Sequence, residues 1–253
     1  MRIAVAGGTG MVGRYAVDEV RAAGHQPVVI ARSAGVDILT GAGLATALDG
    51  ASVVIDVSNT AAMRRAAATA FFATGTRNLL AAGQRAGVMH HVLLSIVGID
   101  RLRMGYYAAK LHQEELVRNG AAPASIMRAT QFHEFVPEFL DRMPGPVVAV
   151  PRLRVQPVAA REVAAALVAL ATGPPVGTAP ELAGPEQLDL AGLARQVLRA
   201  RDSRRPVLSF RLPGAAGRAM AGGALLASGP GQRGRQTFGE WLAGQQAPVA
   251  SLT

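Results

Sequence analysis

Cysteine is absent from the sequence. Its absence excludes a disulfide framework, a zinc site built on thiolates and a cysteine nucleophile. Five histidines are present, but His90 and His91 are adjacent, and His133-Glu134 is not followed by a second histidine at the spacing of a metalloprotease helix. We therefore expect no metal site.

Long hydrophobic runs are absent as well. The first apolar stretch, residues 2–7, breaks into glycine, so we expect no cleavable leader. The most apolar later stretch, residues 163–172, has about half of the ~20 residues that a membrane-spanning helix needs. We expect a buried helix there, and a cytoplasmic protein without a membrane partner.

The residues that are present favour a folded α/β protein. Half of the 253 residues are apolar and 17% are charged, a balance opposite to that of disordered chains. In the first half, short runs rich in valine, isoleucine and leucine alternate with segments of helical length. This alternation predicts βαβ units in a doubly wound parallel sheet of the Rossmann type. We assign residues 1–143 to this domain and residues 144–253 to a smaller portion packed on the same sheet.

A glycine-rich loop follows the first predicted strand and leads into the first predicted helix. Its glycines at 7, 10 and 13 suit a sharp turn, a close approach of backbone N–H groups to a pyrophosphate, and tight packing of helix on sheet. Glycine turns also occur for packing alone, but the position directly after a strand favours a dinucleotide site. The predicted cofactor contacts from this loop are Gly7, Thr9, Gly10, Met11, Val12 and Gly13.

The end of the second predicted strand indicates which dinucleotide is bound. An acid there accepts a hydrogen bond from the ribose of NAD, whereas an arginine accommodates the 2′-phosphate of NADP. Arg32 and Ser33 stand at this position, which favours NADP(H). The alternative is one more surface arginine in an arginine-rich chain. Asp37, which we place after a short third strand, is either an acceptor for the adenine amino group or a turn residue.

These motifs resemble the atypical short-chain dehydrogenase/reductases, in particular the NmrA-like NAD(P)-binding group. The segments that carry the resemblance are GGTGMVG at 7–13, Arg32, LLSIVGID at 93–100, YYAAKLHQEELV at 106–117 and RATQFHEF at 128–135. The resemblance implies a Rossmann fold with bound NADP(H), in a group that contains reductases of ketones, quinones or enones and also non-catalytic nucleotide binders. It further places Thr130 and Phe132 beside the nicotinamide.

Lysine is nearly absent, since the chain has 25 arginines and a single lysine, Lys110. Lys110 follows Tyr106 by four residues, which puts both on one helix face. An ammonium beside a phenol lowers the pKa of the phenol, so that the tyrosine can exchange a proton with a substrate carbonyl. The same lysine can reach the ribose hydroxyls of the cofactor.

Ser95 ends the predicted strand before this helix, where its hydroxyl could bind the carbonyl oxygen of a substrate. Ser95, Tyr106 and Lys110 match the Ser, Tyr-x-x-x-Lys pattern of the superfamily, and we predict them as catalytic residues. Two alternatives stay open. Tyr107 also lies within one turn of Lys110, and a serine at a strand end often bonds only to nearby backbone.

We therefore predict an NADP-dependent oxidoreductase that transfers hydride to a small or medium apolar ketone, quinone or enone. Phe132, Phe135 and Phe139 recur at spacings of three and four residues, which is typical of a core stripe or of an apolar pocket wall. The main alternative function is a non-catalytic NADP(H) sensor or regulator, and a third is a non-redox use of the fold such as a sugar-nucleotide epimerase. A homo-oligomer is possible for each of these.

The net charge of +9 is confined to one stretch. Residues 195–235 contain nine arginines and one acid, Asp202, and so contribute +8. Phe210 is the single aromatic residue in this stretch, which lacks the basic and aromatic interleaving of a single-strand binder. We expect a solvated surface rather than a nucleic-acid partner, with polyanion binding as the alternative.

Two segments of the C-terminal portion are rich in glycine and proline, namely residues 144–157 and 212–234. Ligands of open α/β sheets bind outside the carboxyl ends of the strands, so the site needs a second wall to exclude water. We expect these segments to form an adaptable lid over the nicotinamide.

Overall fold

A computed structural model describes residues 1–102 and 104–246 of the chain. The strands are β1 (Arg2–Ala6), β2 (Gln26–Ile30), β3 (Val53–Asp56), β4 (His90–Ile96), β5 (Ala124–Ala129), β6 (Val148–Pro151), β7 (Arg154–Val155), β8 (Gly177–Thr178), β9 (Leu182–Ala183), β10 (Leu188–Asp189), β11 (Val207–Phe210) and β12 (Gln232–Arg233). The α-helices are α1 (Met11–Ala22), α2 (Leu44–Leu48), α3 (Arg65–Arg85), α4 (Gly105–Arg118), α5 (Phe135–Asp141), α6 (Ala160–Thr172), α7 (Leu190–Ala200), α8 (Gly214–Ala221) and α9 (Phe238–Gln246).

The chain forms two compact units and passes between them more than once. The first unit contains Met1–Ala129 and Ala160–Glu181, and the second contains Thr130–Ala159 and the chain from Leu182 onward. This division does not follow the single boundary that we placed after residue 143. The reason is α6, which packs against α1 and so returns a segment of the C-terminal half to the first unit.

A parallel sheet with the strand order β2-β1-β3-β4-β5-β8 forms the centre of the first unit. In β1 every residue from Ile3 to Ala6 is fully buried, as expected for a strand covered by helices on both faces. The order reverses between β1 and β3, which is the topological switch point where ligands bind in such sheets. The predicted doubly wound Rossmann-type fold is therefore confirmed.

Helices cover this sheet through apolar contacts. The face formed by β1, β2 and β3 packs on α2 and α3 through a cluster that includes Ala4, Val54, Leu48 and Leu79. The apolar segment at residues 163–172 lies in α6, a buried helix as predicted. In the described part of the chain, no helix is both long enough and apolar enough to cross a membrane.

The second unit is built from shorter elements. Its strands pair two by two, with β6 parallel to β11, β9 parallel to β12 and β7 antiparallel to β10. Helix α7 buries an apolar stripe that includes Leu190, Leu193 and Val197, and the Asp189 side chain caps its N-terminus by accepting from Gly192 N at 2.8 Å. The two segments predicted to form a lid contain ordered elements, β6 and β7 in one, α8 and β12 in the other.

Candidate cofactor and catalytic site

The glycine loop makes the turn from β1 into α1 that its spacing predicts. Gly7 has a left-handed φ of +80° and donates to Ile30 O at 2.9 Å, so the turn is tied to the end of β2. A Cβ on Gly13 would lie 2.0 Å from Gly7 O. Only glycine at position 13 lets the helix start this close to the strand end.

No side chain of the described residues caps the N-terminus of α1. Its N-cap residue is Gly10, and its first turn carries no acid. Thr9 and Gly10 are exposed, whereas the side chain of Val12 is buried. The first N–H groups of this 12-residue helix are therefore not capped by a side chain of the described residues, and a helix start of this kind is suited to bind a pyrophosphate.

Arg32 lies in a 3₁₀ turn, Arg32–Ala34, directly after β2. Arg32 and Ser33 are exposed, and within the described residues the Arg32 guanidinium has no ion pair or hydrogen bond. Its charge is therefore available to a ligand. The short strand that we placed before Asp37 is not formed, because the segment between Arg32 and α2 is a turn and a loop. Asp37 accepts from Leu39 N at 2.8 Å, as a turn residue does.

Tyr106 stands in the first turn of α4. Gly105 lets this helix begin against α3, since a Cβ there would lie 2.8 Å from the Arg65 side chain. The Tyr106 hydroxyl donates to Asn59 Oδ1 at 2.7 Å. Burial, and to a smaller degree the neighbouring Tyr107, raises the pKa of Tyr106 to about 12.

Lys110 lies one turn further along α4 and is buried. Its ammonium is 4.8 Å from the centre of the Phe72 ring, and the Tyr106 ring packs on the same Phe72 with centroids 5.7 Å apart. The spacing of four residues places Tyr106 and Lys110 on one face of α4, as predicted, and both side chains contact Phe72. Burial lowers the pKa of Lys110 to about 8, although the negative charges of Asp56 and Glu114 oppose this shift.

The effect that we predicted for Lys110 on Tyr106 is not found. Instead of being lowered by the ammonium, the pKa of the phenol is raised, because loss of water around the ring hydroxyl outweighs the other influences. Tyr106 is consequently a protonated hydroxyl at neutral pH. Such a group can donate a proton but cannot accept one.

Ser95 is buried near the end of β4, with 2% of its surface exposed. Its hydroxyl has no hydrogen bond of full geometry, but it lies close enough to Glu114 to help lower the pKa of that carboxyl. Glu114 stands two helical turns, about 12 Å, beyond Tyr106 along α4. The Ser95 hydroxyl is therefore buried next to Glu114, and its catalytic role stays a prediction.

Glu114 is itself fully buried between two arginines. Its carboxylate accepts from Arg128 Nε and Nη2, both at 2.9 Å, and from Arg118 Nη2 at 2.6 Å. Burial alone would raise the pKa of Glu114, but these hydrogen bonds outweigh burial and lower it. The buried charge is thus paired on both sides.

Sequence reasoning missed the residues that hold this helix face in place. Asp56, at the carboxyl end of β3, accepts from Ser58 N at 2.9 Å and from Gln113 Nε2 at 3.0 Å. Gln113 also donates to Thr76 Oγ1 at 3.0 Å. The signal that could have identified Asp56 and Asn59 is their place at a strand end, on the edge where ligands of parallel sheets bind.

Thr130 and Phe132 lie in the second unit. The Thr130 hydroxyl donates to Gln156 O at 2.5 Å and accepts from Gly184 N at 3.2 Å, so its proton is engaged within that unit. Phe132 is half-buried and forms a β-bridge with Val158. Their predicted contact with the nicotinamide stays a prediction.

The aromatic residues that we expected around an apolar site lie in two different groups, and the first also contains Phe71 and Phe72, which we did not predict. Phe71, Phe72, Tyr106 and Tyr107 make successive edge-to-face contacts in the first unit. In the second unit the rings of Phe135 and Phe139 lie 5.9 Å apart.

No protein-family model and no curated protein matches the sequence. Solved structures match the fold over nearly the whole chain. A short-chain dehydrogenase/reductase superfamily protein from Agrobacterium tumefaciens with bound NAD has a TM-score of 0.69 at 20% identity, covering 97% of this chain and 96% of that one. The triphenylmethane reductase of Citrobacter sp., complexed with NADP(H), has a TM-score of 0.67 at 18% identity, covering 90% and 93%.

A third match is MoeE5 in complex with UDP-glucose and NAD, with a TM-score of 0.71 at 16% identity and 97% of each chain covered. The chain therefore shares its fold with these three proteins. This confirms, for the fold, the resemblance seen in the sequence.

Proposed function

We propose that the chain is an NADP(H)-dependent oxidoreductase of the short-chain type, in its NmrA-like group, which reduces a small or medium apolar ketone, quinone or enone. One arrangement carries the proposal: the N-terminus of α1 follows the glycine loop and Arg32 stands at the end of the neighbouring strand, and neither has a side-chain partner among the described residues. Proteins of the same fold are known with NAD and with NADP(H) bound.

The charges around the second strand favour NADP(H) over NAD. The pyrophosphate would lie on the first N–H groups of α1, and the 2′-phosphate would pair with the Arg32 guanidinium. No carboxylate stands at the end of β2 to repel that phosphate. The next acid along the chain, Asp37, already accepts a hydrogen bond from Leu39 N.

The reaction needs a hydride for the carbonyl carbon and a proton for its oxygen. Bound NADPH would supply the hydride. The protonated Tyr106 hydroxyl would give its proton to the carbonyl oxygen in place of Asn59, its present acceptor. Lys110, which contacts the same Phe72 ring as Tyr106, would offer positive charge to the phenolate that forms during this transfer, although it does not lower the pKa of the phenol before the reaction.

Cofactor titration tests the first part of the proposal. We expect NADPH to bind more tightly than NADH, and Arg32→Ala to remove most of this preference, because one charge-assisted contact contributes about 1.5–3 kcal/mol. Arg85→Ala is the matched control, since Arg85 is exposed in the last turn of α3, which leads into the start of β4. An unchanged preference in Arg32→Ala would overturn the assignment.

A second candidate is a non-catalytic NADP(H) sensor. Two observations favour it: the Ser95 hydroxyl is buried near Glu114, and the Tyr106 hydroxyl is engaged by Asn59. NADPH oxidation with a panel of quinones, ketones and enones separates the two functions. For the enzyme we expect turnover that falls about 100-fold or more in Tyr106→Phe and persists in Tyr15→Phe. Tight NADPH binding without any turnover would establish the sensor.

A further inference from the structure

A cavity of about 600 Å³ lies within the second unit, outside the residues to which the proposed function assigns a role. This volume falls in the range of roughly 300–1,000 Å³ that small-molecule sites occupy. Three arginines line the cavity, namely Arg152, Arg211 and Arg218.

The pairing of β6 with β11 brings Arg152 and Arg211 together. Pro151 and Phe210 are partners in this parallel pair, and Arg152 N donates to Phe210 O at 2.8 Å. Each arginine is the first residue after its strand, so both leave the same edge of two strands that run about 4.8 Å apart. Like charges on neighbouring strands repel each other, and an anion bound between them would relieve that repulsion.

Helix α8 supplies the third arginine. The helix folds back closely on the segment after β11, since a Cβ on Gly217 would lie 2.0 Å from Leu212 O. Only glycine at position 217 permits this approach, and the next residue along the helix is Arg218. The three cations are thus placed by the backbone of one strand pair and one helix.

None of these three guanidinium groups has an ion pair or a hydrogen bond within the described residues. Elsewhere in the basic stretch arginines are paired, as where Arg201 contacts Asp141 at 2.5 Å. Asp189 also lines the cavity, but its carboxylate accepts from Gly192 N at 2.8 Å and caps α7. The cavity therefore holds an excess of positive charge.

We propose that this cavity binds a small molecule with two or more adjacent anionic groups, such as a diphosphate or a polycarboxylate. Guanidinium groups bind phosphate and carboxylate in a bidentate manner. Ser209, on β11, adds a hydroxyl, while Leu153 and Leu212 offer apolar surface to an uncharged part of the ligand. The site goes beyond the proposed function, because neither the glycine loop nor Arg32 lines it.

Calorimetric titration of the full chain tests this proposal, with inorganic pyrophosphate and citrate as probes at roughly 0.15 M ionic strength. We expect saturable binding of at least one probe at a single site, and the tighter probe identifies the anionic group. Arg152→Ala and Arg211→Ala should each weaken binding about 10-fold or more. Arg195→Ala, an exposed arginine of α7 outside the cavity, should change binding less than about 2-fold.

Three results would overturn the proposal. The first is the absence of saturable binding. The second is a sign of a general basic surface. Either Arg195→Ala weakens probe binding as much as the cavity variants do, or a single-stranded DNA oligonucleotide binds tightly and each of these arginine substitutions weakens that binding. The third is a loss confined to Arg32→Ala, which would place the anion at the glycine loop. Because NADPH binding is measured separately, failure here leaves the proposed function untouched.

Chemical modification gives a readout that needs no substitution. Phenylglyoxal modifies accessible arginines, and peptide mass spectrometry locates the products. The probe that binds should protect Arg152, Arg211 and Arg218, and should leave Arg195 and Arg199 reactive. Equal protection of all five arginines, or protection of none, would contradict a site in this cavity.

Discussion

The buried charges of α4 in the first unit contrast with the exposed cavity arginines of the second unit. In the first unit, Glu114 and Lys110 are buried, and Glu114 is held by two arginines. In the second unit the arginines of the cavity are exposed and make no ion pair within the described residues. The first unit thus buries two charged side chains of α4, whereas the second unit leaves the cavity arginines exposed after short strands and on α8.

This difference has consequences for stability and for binding. A buried charge is costly when its partner is removed, so substitutions in the first unit should affect folding strongly. An exposed charge is solvated by water, so its removal should affect ligand binding more than folding. The three predictions below measure this contrast.

The largest effect is expected for Glu114. Glu114→Gln removes the charge that Arg128 and Arg118 share, so that Arg118 loses its anion and Arg128 keeps only Asp100, at 3.2 Å. We expect a loss of about 3–5 kcal/mol in the free energy of unfolding, measured by urea denaturation. Glu115→Gln is the matched control, because Glu115 is the next residue of the same helix and is exposed. An equal loss in both variants would show that the burial of Glu114 has no special role.

A smaller effect is expected from the titration of Lys110. Burial lowers its pKa from the ordinary value of 10.5 to about 8, so between these values the unfolded chain binds more protons than the folded chain. Stability from this group therefore rises as the pH increases from 8 towards 10.5. Between about pH 7 and pH 10 the gain should be about 2–3 kcal/mol.

Lys110→Met tests this effect, because it removes the titrating group and keeps a long side chain. The difference in unfolding free energy between wild type and variant should change with pH in this window, with the variant favoured at the lower pH. A difference that stays constant would contradict a buried ammonium.

Above about pH 10 the raised pKa of Tyr106 lowers the free energy of unfolding in both proteins, because the unfolded chain then loses the phenol proton before the folded chain does.

The smallest effect is expected in the second unit, at the cap of α7. Asp189→Ala removes the hydrogen bond to Gly192 N and should cost about 1 kcal/mol of stability. Asp189→Asn keeps a capping oxygen and should restore most of this loss. Glu186→Ala, at an exposed residue nearby, is the control, and thermal unfolding is the measurement. A loss of the same size in Asp189→Asn would mean that the negative charge matters rather than the cap.

Local signals predicted several elements well. The glycine turn expected between the first strand and the first helix is observed between β1 (Arg2–Ala6) and α1 (Met11–Ala22). The buried helix expected at residues 163–172 is observed as part of α6 (Ala160–Thr172). Apolar periodicity and glycine turns are properties of a few neighbouring residues, and these decide where an element begins and ends.

Contacts between distant residues escaped prediction. Asn59 stands 47 residues from Tyr106, and nothing in the sequence joins them. The same holds for Ser95 with Glu114, and for the return of α6 to the first unit. A sequence pattern shows which face of an element is apolar, but it does not show which polar groups of other elements will meet that face.

By itself, the sequence determined the parallel α/β fold, the glycine turn into α1 and the shared helix face of Tyr106 and Lys110, because each depends on spacing along the chain. Only the tertiary structure decided that Tyr106 keeps its proton, that Glu114 lies between two arginines, and that Arg152 and Arg211 meet at one cavity. Desolvation and charge pairing depend on which atoms surround a group in space. Residues far apart in the chain supply those atoms, so only the folded molecule brings them together.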